Sequence, residues 1–434
     1  MRSSRADVTA VLPPRPSAVD HAVAADAEQG LPPVVPAGTD WLLVGAVMLL
    51  AAFGLVMAFS ASVFEAVHRH GTETFFLHRH IAWLGVGLFA FLTAAHVPYQ
   101  RLARAARPIL LVTIGMLMLL HVDGIGVTVN KATRWLQIGP LRFQPGELAK
   151  VAFAIYLARS LAEKSARNAA HTFTLGIAPP MMVWALLFVL YMTQPDFGSG
   201  VVLGVLLFVM TFVAGARFAY LLLLGGGGIA AAITFVLHDP MRSKRFAAFL
   251  EPLKYQDSGA YQLFHGLLAI GNGGVFGRGL GGSHMKLGFV PEAHTDFVLA
   301  IIGEELGLVG IAFVAMMYIF ICIRGLRIAL NAPCEFGRLL AIGLTSLVGI
   351  HAAINFGVVM GMLPTKGLTL PLVSYGGSSL LIFATIFGVL INISRGGRPD
   401  PRAPRPGDRE RSRQATRVLS PGELIDVPIL GEAH

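Results

Sequence analysis

The sequence predicts an all-α polytopic membrane protein with ten transmembrane helices and both termini cytoplasmic. Three observations carry that reading. Of 434 residues, 54% are hydrophobic and 14% charged, with a mean hydropathy of +0.65, more apolar surface than a water-soluble core of this size can hide. The apolar residues come in solid runs, whereas the strands of a membrane β-barrel alternate in segments of about ten. Basic residues between the runs gather on one side of the membrane, as cytoplasmic loops require.

Eight runs without Asp, Glu, Lys or Arg reach the roughly 18 residues that a crossing needs. They lie between Asp40 and Glu65, His80 and Arg101, Arg167 and Asp196, Asp196 and Arg217, Arg217 and Asp239, Glu305 and Arg324, Arg338 and Lys366, and Lys366 and Arg395. Pro108 to Val122 is shorter, and Pro145 to Ala162 carries Glu147, Lys150 and Arg159; with these two the count is ten. Ser258 to Gly277 is also uncharged but holds six glycines, and we read it as interfacial or re-entrant. With ten spans, Arg101, Arg104, Arg107, Arg159, Lys164, Arg167, Arg217, Arg324, Arg327 and Arg338 share the cytoplasmic side; an eleventh would place the eight arginines after Ser394 outside.

The domain organisation follows: an N-terminal tail 1–39 and a basic C-terminal tail 395–434, both read as disordered and cytoplasmic, flank a membrane domain 40–394. No signal peptide is evident in the first tail. Residues 239–296 form one large extracytoplasmic loop between spans 7 and 8. The formal charge of +9 reflects topology and contact with anionic membrane lipids, with no need for nucleic acid. Cys322 and Cys334 have no disulfide or metal spacing.

Polar residues concentrate where the membrane disfavours them. Lys131, Arg134, Arg142, Lys150, Lys286 and Lys366 lie near the external surface against the orientation bias. Single basic groups there snorkel; as a group they suit a phosphate or pyrophosphate. Loops as long as 239–296 are usually functional. This one ends in Pro291-Glu292-Ala293-His294-Thr295-Asp296-Phe297, with Glu304 and Glu305 one or two turns deeper, so acidic groups and a histidine converge at one membrane entrance. The third concentration is Gly361 to Ser379, where Pro364 and Pro371 interrupt apolar sequence at membrane depth; such breaks survive where they line a cavity. Asp196, after Gln194-Pro195, either completes that cavity or caps the sixth helix.

Other patterns carry less. Gly277, Gly279 and Gly282 match G-x-G-x-x-G formally, but no strand precedes them and no dinucleotide fold fits the loop. No phosphate-binding G-x-x-x-x-G-K-[ST] occurs. His68, His70, His78 and His80 are read as residues of the first external loop, and no metal site is assigned to them.

Four ordered motifs resemble the SEDS family, the shape, elongation, division and sporulation proteins, over roughly Asp40 to Ser394. They are Arg134-Trp135 with Phe143-Gln144-Pro145-Gly146-Glu147-Leu148-Ala149-Lys150; Gln194-Pro195-Asp196-Phe197-Gly198; Pro291 to Phe297 with Glu304-Glu305-Leu306-Gly307; and Pro364-Thr365-Lys366-Gly367 through Ser374-Tyr375-Gly376-Gly377. Gly146 departs from the family's usual Ser or Ala, and the long tails resemble its division members. The resemblance implies a peptidoglycan glycosyltransferase of septal cell-wall synthesis in the bacterial cytoplasmic (inner) membrane. Such an enzyme polymerises lipid II by inverting transfer and releases undecaprenyl pyrophosphate. Asp296 matches the family's essential aspartate and would be the general base. Arg142, Lys150, Lys366 and Arg134 would hold substrate and pyrophosphate. Gln144, Glu147, Asp196, His294, Glu304, Ser374 and Tyr375 would line the cavity. Implied partners are a class B penicillin-binding transpeptidase and divisome regulatory proteins; a divalent cation, Mg or Mn, is compatible with the chemistry. A lipid II flippase and a non-catalytic division scaffold fit the same residues.

Overall fold

A computed structural model describes residues 34–35, 38–122, 124–129, 132–138, 141–166, 172–238, 240–257, 260–396 and 398–399. The chain runs through α1 (Trp41–His70), α2 (Phe75–His96) and α3 (Gln100–Leu119), then strands β2 (Gly126–Val129), β3 (Ala132–Ile138) and β4 (Leu141–Phe143). There follow α4 (Pro145–Ala166), a π-helical turn (Phe173–Ile177), α5 (Ala178–Thr193), α6 (Phe197–Val213) and α7 (Phe218–Leu237). Next come α8 (Pro240–Leu250), α9 (Tyr261–Gly273), α10 (Val298–Leu330), α11 (Glu335–Val359) and α12 (Gly377–Arg395). Residues 37–397 form one compact unit. Of the remaining segments, Val34–Val35 (β1) and Arg398–Pro399 (β5) are described as an antiparallel pair. Otherwise the two tails read as disordered, 1–39 and 395–434, lie largely outside the described residues, as does Lys131.

The protein is a multi-pass membrane protein. Among the described residues α1, α2, α3, α10, α11 and α12 are long and apolar enough to cross a bilayer, while α5, α6 and 218–228 of α7 are shorter apolar helices. Phe89 is 73% exposed and Leu111 67%, outward positions that only lipid would cover. α11 and α12 are the most enclosed, so the bundle centres on them: α11 packs against α10 and α4, and α12 against α2.

Three features differ from the sequence reading. The fold is not purely helical, because β2, β3 and β4 form a small antiparallel sheet leading into α4. Its sequence, Val-Thr-Val and Thr-Arg-Trp-Leu-Gln-Ile, is β-branched and aromatic, a strand signal outweighed by the search for apolar runs. The four histidines are helical: His68 and His70 end α1, which closes on Gly71 at φ +69°, and His78 and His80 lie in α2. The segment 239–296 carries α8 and α9, and α9 packs along α10.

α10 is broken at Gly307 (φ +68°, ψ −161°), which removes the helical bonds from residues 308 and 309 to residues 304 and 305. The glycine-rich stretch after α9 replaces them. Arg278 N donates to Glu304 O at 3.0 Å and Gly279 N to Glu305 O at 2.9 Å, while Leu308 N donates to Gly274 O at 3.0 Å and Val309 N to Val275 O at 3.2 Å. Freed backbone groups at membrane depth must find such partners. Approach this close needs glycine: a Cβ on Gly277, at φ +77°, would stand 2.2 Å from Glu305 O. This explains the formal G-x-G-x-x-G.

At the opposite end of α10, Asp40 caps α1 through Leu43 N (3.0 Å) and pairs with Arg324 (Nη2–Oδ2 2.7 Å), while its backbone N–H donates to Ser394 Oγ on α12 at 3.4 Å. Three helices are thereby tied together.

Gly277→Ala is expected to lower unfolding free energy by about 2–4 kcal/mol through strain and backbone clash, measured by thermal unfolding in detergent. Gly226→Ala, with open space around its Cβ, is the control and should stay within about 1 kcal/mol of wild type.

Candidate functional site

Four loop segments meet at the head of α10. Asp296 lies just before the helix, and Thr295 Oγ1 donates to its Oδ1 at 2.8 Å. Asn355 on α11 clamps two of the segments, its Nδ2 donating to Asp296 O at 2.8 Å and Leu368 O at 2.7 Å. A Cβ on Gly367 would stand 3.0 Å from Asp296 Oδ2, so glycine lets the last loop close over the carboxylate. Among the described residues no lysine or arginine pairs with Asp296. Burial pushes its carboxyl up to about 6, and Glu292 adds to this, against hydrogen bonds from the Thr295 hydroxyl and its own backbone amide and the charge of His294.

Lys366 pairs with Asp196 at 3.3 Å. Its stem fills the notch left by Gly198, where a Cβ would lie 2.1 Å from Lys366 Cε. Asp196 caps α6 as well, accepting from Ser199 N (3.3 Å) and Ser199 Oγ (2.7 Å), which is the helix-capping reading of it. Burial drives the Asp196 carboxyl up, yet Lys366, Arg134, Ser199 and Lys150 outweigh this and hold it below the ordinary range. Arg134, on β3, grips the same turn by donating to Gln194 O (3.0 Å) and Pro195 O (2.5 Å).

His294 accepts a backbone bond from Tyr375 N (2.9 Å) and places Nδ1 3.0 Å from Glu65 on α1. Its ring and that of Tyr375 gather with Phe76 of α2. Below β4, Lys150 is 2% exposed, bonded to Glu147 Oε1 at 2.7 Å and 3.1 Å from His351 Nε2. Ser378 at the start of α12 accepts from Gln144 N at 3.0 Å and donates to Arg142 O at 3.4 Å, while the Arg142 side chain is exposed.

The structure therefore brings Asp296, Lys366, Asp196 and Arg134 into one connected set. It places two expected cavity residues elsewhere. Glu304 is fully buried and accepts from Ser283 Oγ, His284 N (3.2 Å) and Met285 N (3.1 Å), so it anchors the loop after α9. Ser374 closes its own turn by accepting from Leu370 N at 2.8 Å. Glu305, also buried, holds Lys286 Nζ at 2.8 Å and Ser60 Oγ at 2.7 Å, which removes Lys286 from the anion-binding group. Sequence reasoning missed His351, Asn355 and Ser378. The first two had a signal: polar residues four apart, hence on one helix face, inside an apolar run. No group of three or more His, Cys, Asp or Glu suited to a metal occurs among the described residues.

The FtsW, RodA and SpoVE sequence family, described as cell cycle protein, matches residues 40–398. The chain belongs to this family. A probable peptidoglycan glycosyltransferase FtsW of Geobacter metallireducens is 40% identical, the match covering 80% of this chain and 92% of the relative. Stage V sporulation protein E of Bacillus subtilis is 37% identical over 83% and 98%. Among solved structures, a chain from a peptidoglycan synthase complex that coordinates polymerization and crosslinking superposes with TM-score 0.68 at 29% identity, over 82% of this chain and 98% of that one. The rod shape determining protein RodA of Thermus thermophilus gives TM-score 0.62 at 29% identity over 83% and 98%.

With a folded-state pKa near 6 and an unfolded value near 3.8, Asp296 binds more protons folded than unfolded between those values, so its ionisation costs stability as pH rises through that window. Asp296→Asn is accordingly expected to raise the melting temperature above pH 6, and the gain should shrink as pH falls from 6 toward 4; an equal gain at all pH values would refute the shift.

Proposed function

We propose that this family member is a peptidoglycan glycosyltransferase that polymerises lipid II during septal wall synthesis, with Asp296 as general base. The observation that carries the reading is the buried Asp296 carboxyl, pushed up to about 6 chiefly by burial, at a loop end beside the Lys366–Gly367 turn. The family membership and the glycosyltransferase names of its relatives support it.

In the step, the 4-hydroxyl of the acceptor sugar attacks the donor anomeric carbon from the face opposite the pyrophosphate. Asp296 takes the hydroxyl proton, the bond from the anomeric carbon to the pyrophosphate oxygen breaks, and undecaprenyl pyrophosphate leaves with inversion. Arg142, exposed at the middle of β4, and Lys366 neutralise the leaving charge. Lys150, which the sequence offered as a further pyrophosphate ligand, is buried between Glu147 and His351. A Mg or Mn ion would ride on the pyrophosphate, since Mg is held by one or two carboxylates together with substrate phosphates.

The topology goes with this chemistry: ten spans, both termini cytoplasmic, and the head of α10 with residues 239–296 on the extracytoplasmic side, opposite the face where Arg101, Arg104, Arg107, Arg324, Arg327 and Arg338 gather. α4 and α5 to α7 supply the crossings beyond the six long apolar helices. A class B penicillin-binding transpeptidase is the partner that would crosslink the product, in keeping with the synthase complex that the chain resembles, and divisome regulators would recruit the pair to the septum. A lipid II flippase is favoured by one observation, the Glu147–Lys150–His351 group buried in the bundle.

Purified protein with its cognate transpeptidase and lipid II decides between them. Wild type is expected to make polymer, with activity rising through pH 6 and level above it. Folded Asp296→Asn should fall by about 10²–10⁴ and lose that acid limb. Polymer from Asp296→Asn at the wild-type rate would sink the assignment of the base. No polymer from wild type, with lipid II crossing liposome bilayers, would establish the flippase instead.

A further inference from the structure

A second polar cavity lies apart from Asp296. Between the end of α3, the β2–β3 ribbon and the last turn of α5 is a cleft of about 380 Å³, walled chiefly by Leu120, His121, Thr128, Thr133, Thr193 and Gln194. Its polar groups are prearranged: His121 Nε2 lies 2.7 Å from Thr193 Oγ1, the Thr128 and Thr133 hydroxyls are 2.7 Å apart, and Gln194 Nε2 is buried with no hydrogen-bond partner. No Asp, Glu, Lys or Arg is among its described lining residues.

That chemistry narrows the ligand. An anion would call for arginine or lysine, and an apolar ligand would cut the exposed His121 and Thr128 off from water without offering them a hydrogen bond. The exposed Thr128 hydroxyl and His121 imidazole, with Thr133 and Thr193 beside them, suit a neutral molecule bearing hydroxyl and acetamido groups. The volume, within the range of about 300–1,000 Å³ usual for small-ligand sites, has room for one or two pyranose rings. Position ties the cleft to the reaction. Gln194 forms one wall, its carbonyl is gripped by Arg134, and two residues on Asp196 pairs with Lys366, whose neighbour Gly367 faces the Asp296 carboxylate.

We propose that this cleft is a subsite for the N-acetylated amino-sugar units of the glycan strand that the enzyme extends. The proposal rests on the glycosyltransferase reading above and adds a strand-holding site to it. A strand held there stays tethered to the enzyme between additions, so successive additions occur without release.

The test uses the full chain in detergent, with Thr193→Val, which removes one hydroxyl and keeps the shape, and Thr128→Phe, which fills the cleft from an exposed strand position. Binding of a β-1,4-linked N-acetylglucosamine tetrasaccharide is followed by saturation-transfer NMR. Thr193→Val should weaken it about three- to ten-fold, one hydrogen bond's worth, and folded Thr128→Phe should abolish it. In polymerisation, both variants should consume lipid II within about two-fold of the wild-type rate while the strands shorten by about three-fold or more. Wild type that binds no tetrasaccharide, Thr128→Phe that binds it as wild type does, or unchanged strand lengths in both variants would each overturn the subsite. Wild type that makes no polymer but binds the tetrasaccharide through the cleft would remove the polymerase reading and leave the saccharide site standing.

Discussion

The break in α10 at Gly307 is the constraint on which the site depends. An unbroken helix from Val298 to Leu330 would satisfy its own backbone and need nothing from the segment after α9. Breaking it releases the carbonyls of Glu304 and Glu305 and the N–H groups of Leu308 and Val309, which the 274–279 backbone takes up. In hydrocarbon an unmet backbone group costs several kcal/mol, so the exchange locks the loop to the helix far more firmly than the same bonds would in water. Asp296 stands two residues before α10 begins, so the fixing of that helix head fixes the carboxylate.

The two glutamates at the break continue the same logic in side chains. Glu304 takes backbone donors from the loop and Glu305 takes Lys286, so each buried charge is hydrogen-bonded, the condition under which burial is tolerated. Asn355 then extends the rigid body to the last loop by bonding both Asp296 O and Leu368 O. α1 joins through Glu65 and His294. The site is assembled from segments hundreds of residues apart, and each link is a polar group made expensive to break by its surroundings.

Much of this was legible in the sequence, for a physical reason. Charge is so costly in a bilayer that its absence marks crossings and its presence marks function, so Asp296, Lys366, Asp196 and Arg134 stood out without any structure. What the sequence hid were pairings. Glu304 and Asp296 look alike as acidic residues at one membrane entrance, yet one takes several hydrogen bonds from the loop after α9 and the other is a carboxyl pushed up by burial. Lys286 and Lys366 both read as anion ligands, but their partners, Glu305 and Asp196, come from separate helices that only the fold brings near. The sheet escaped because strands of three to seven residues leave little trace beside runs of twenty. His351 and Asn355 escaped because uncharged polar groups do not interrupt a run defined by charge.

The pairings also bear on how an anion would be received. Lys150 is committed to Glu147, Lys286 to Glu305, Lys366 to Asp196 and Arg134 to two carbonyls, whereas Arg142 is exposed. Four of the five basic groups at rest are thus engaged, and burial outweighs the groups that lower the Asp296 carboxyl. In the proposed reaction a pyrophosphate arriving at Arg142 would compete with Asp196 for Lys366. If Lys366 turned instead toward Asp296, the cation would lower the carboxyl's affinity for a proton and blunt the base. The ion pair with Asp196 engages Lys366 with a carboxylate other than Asp296, so in the proposed reaction a group that would receive charge and the group that would receive a proton answer to different partners.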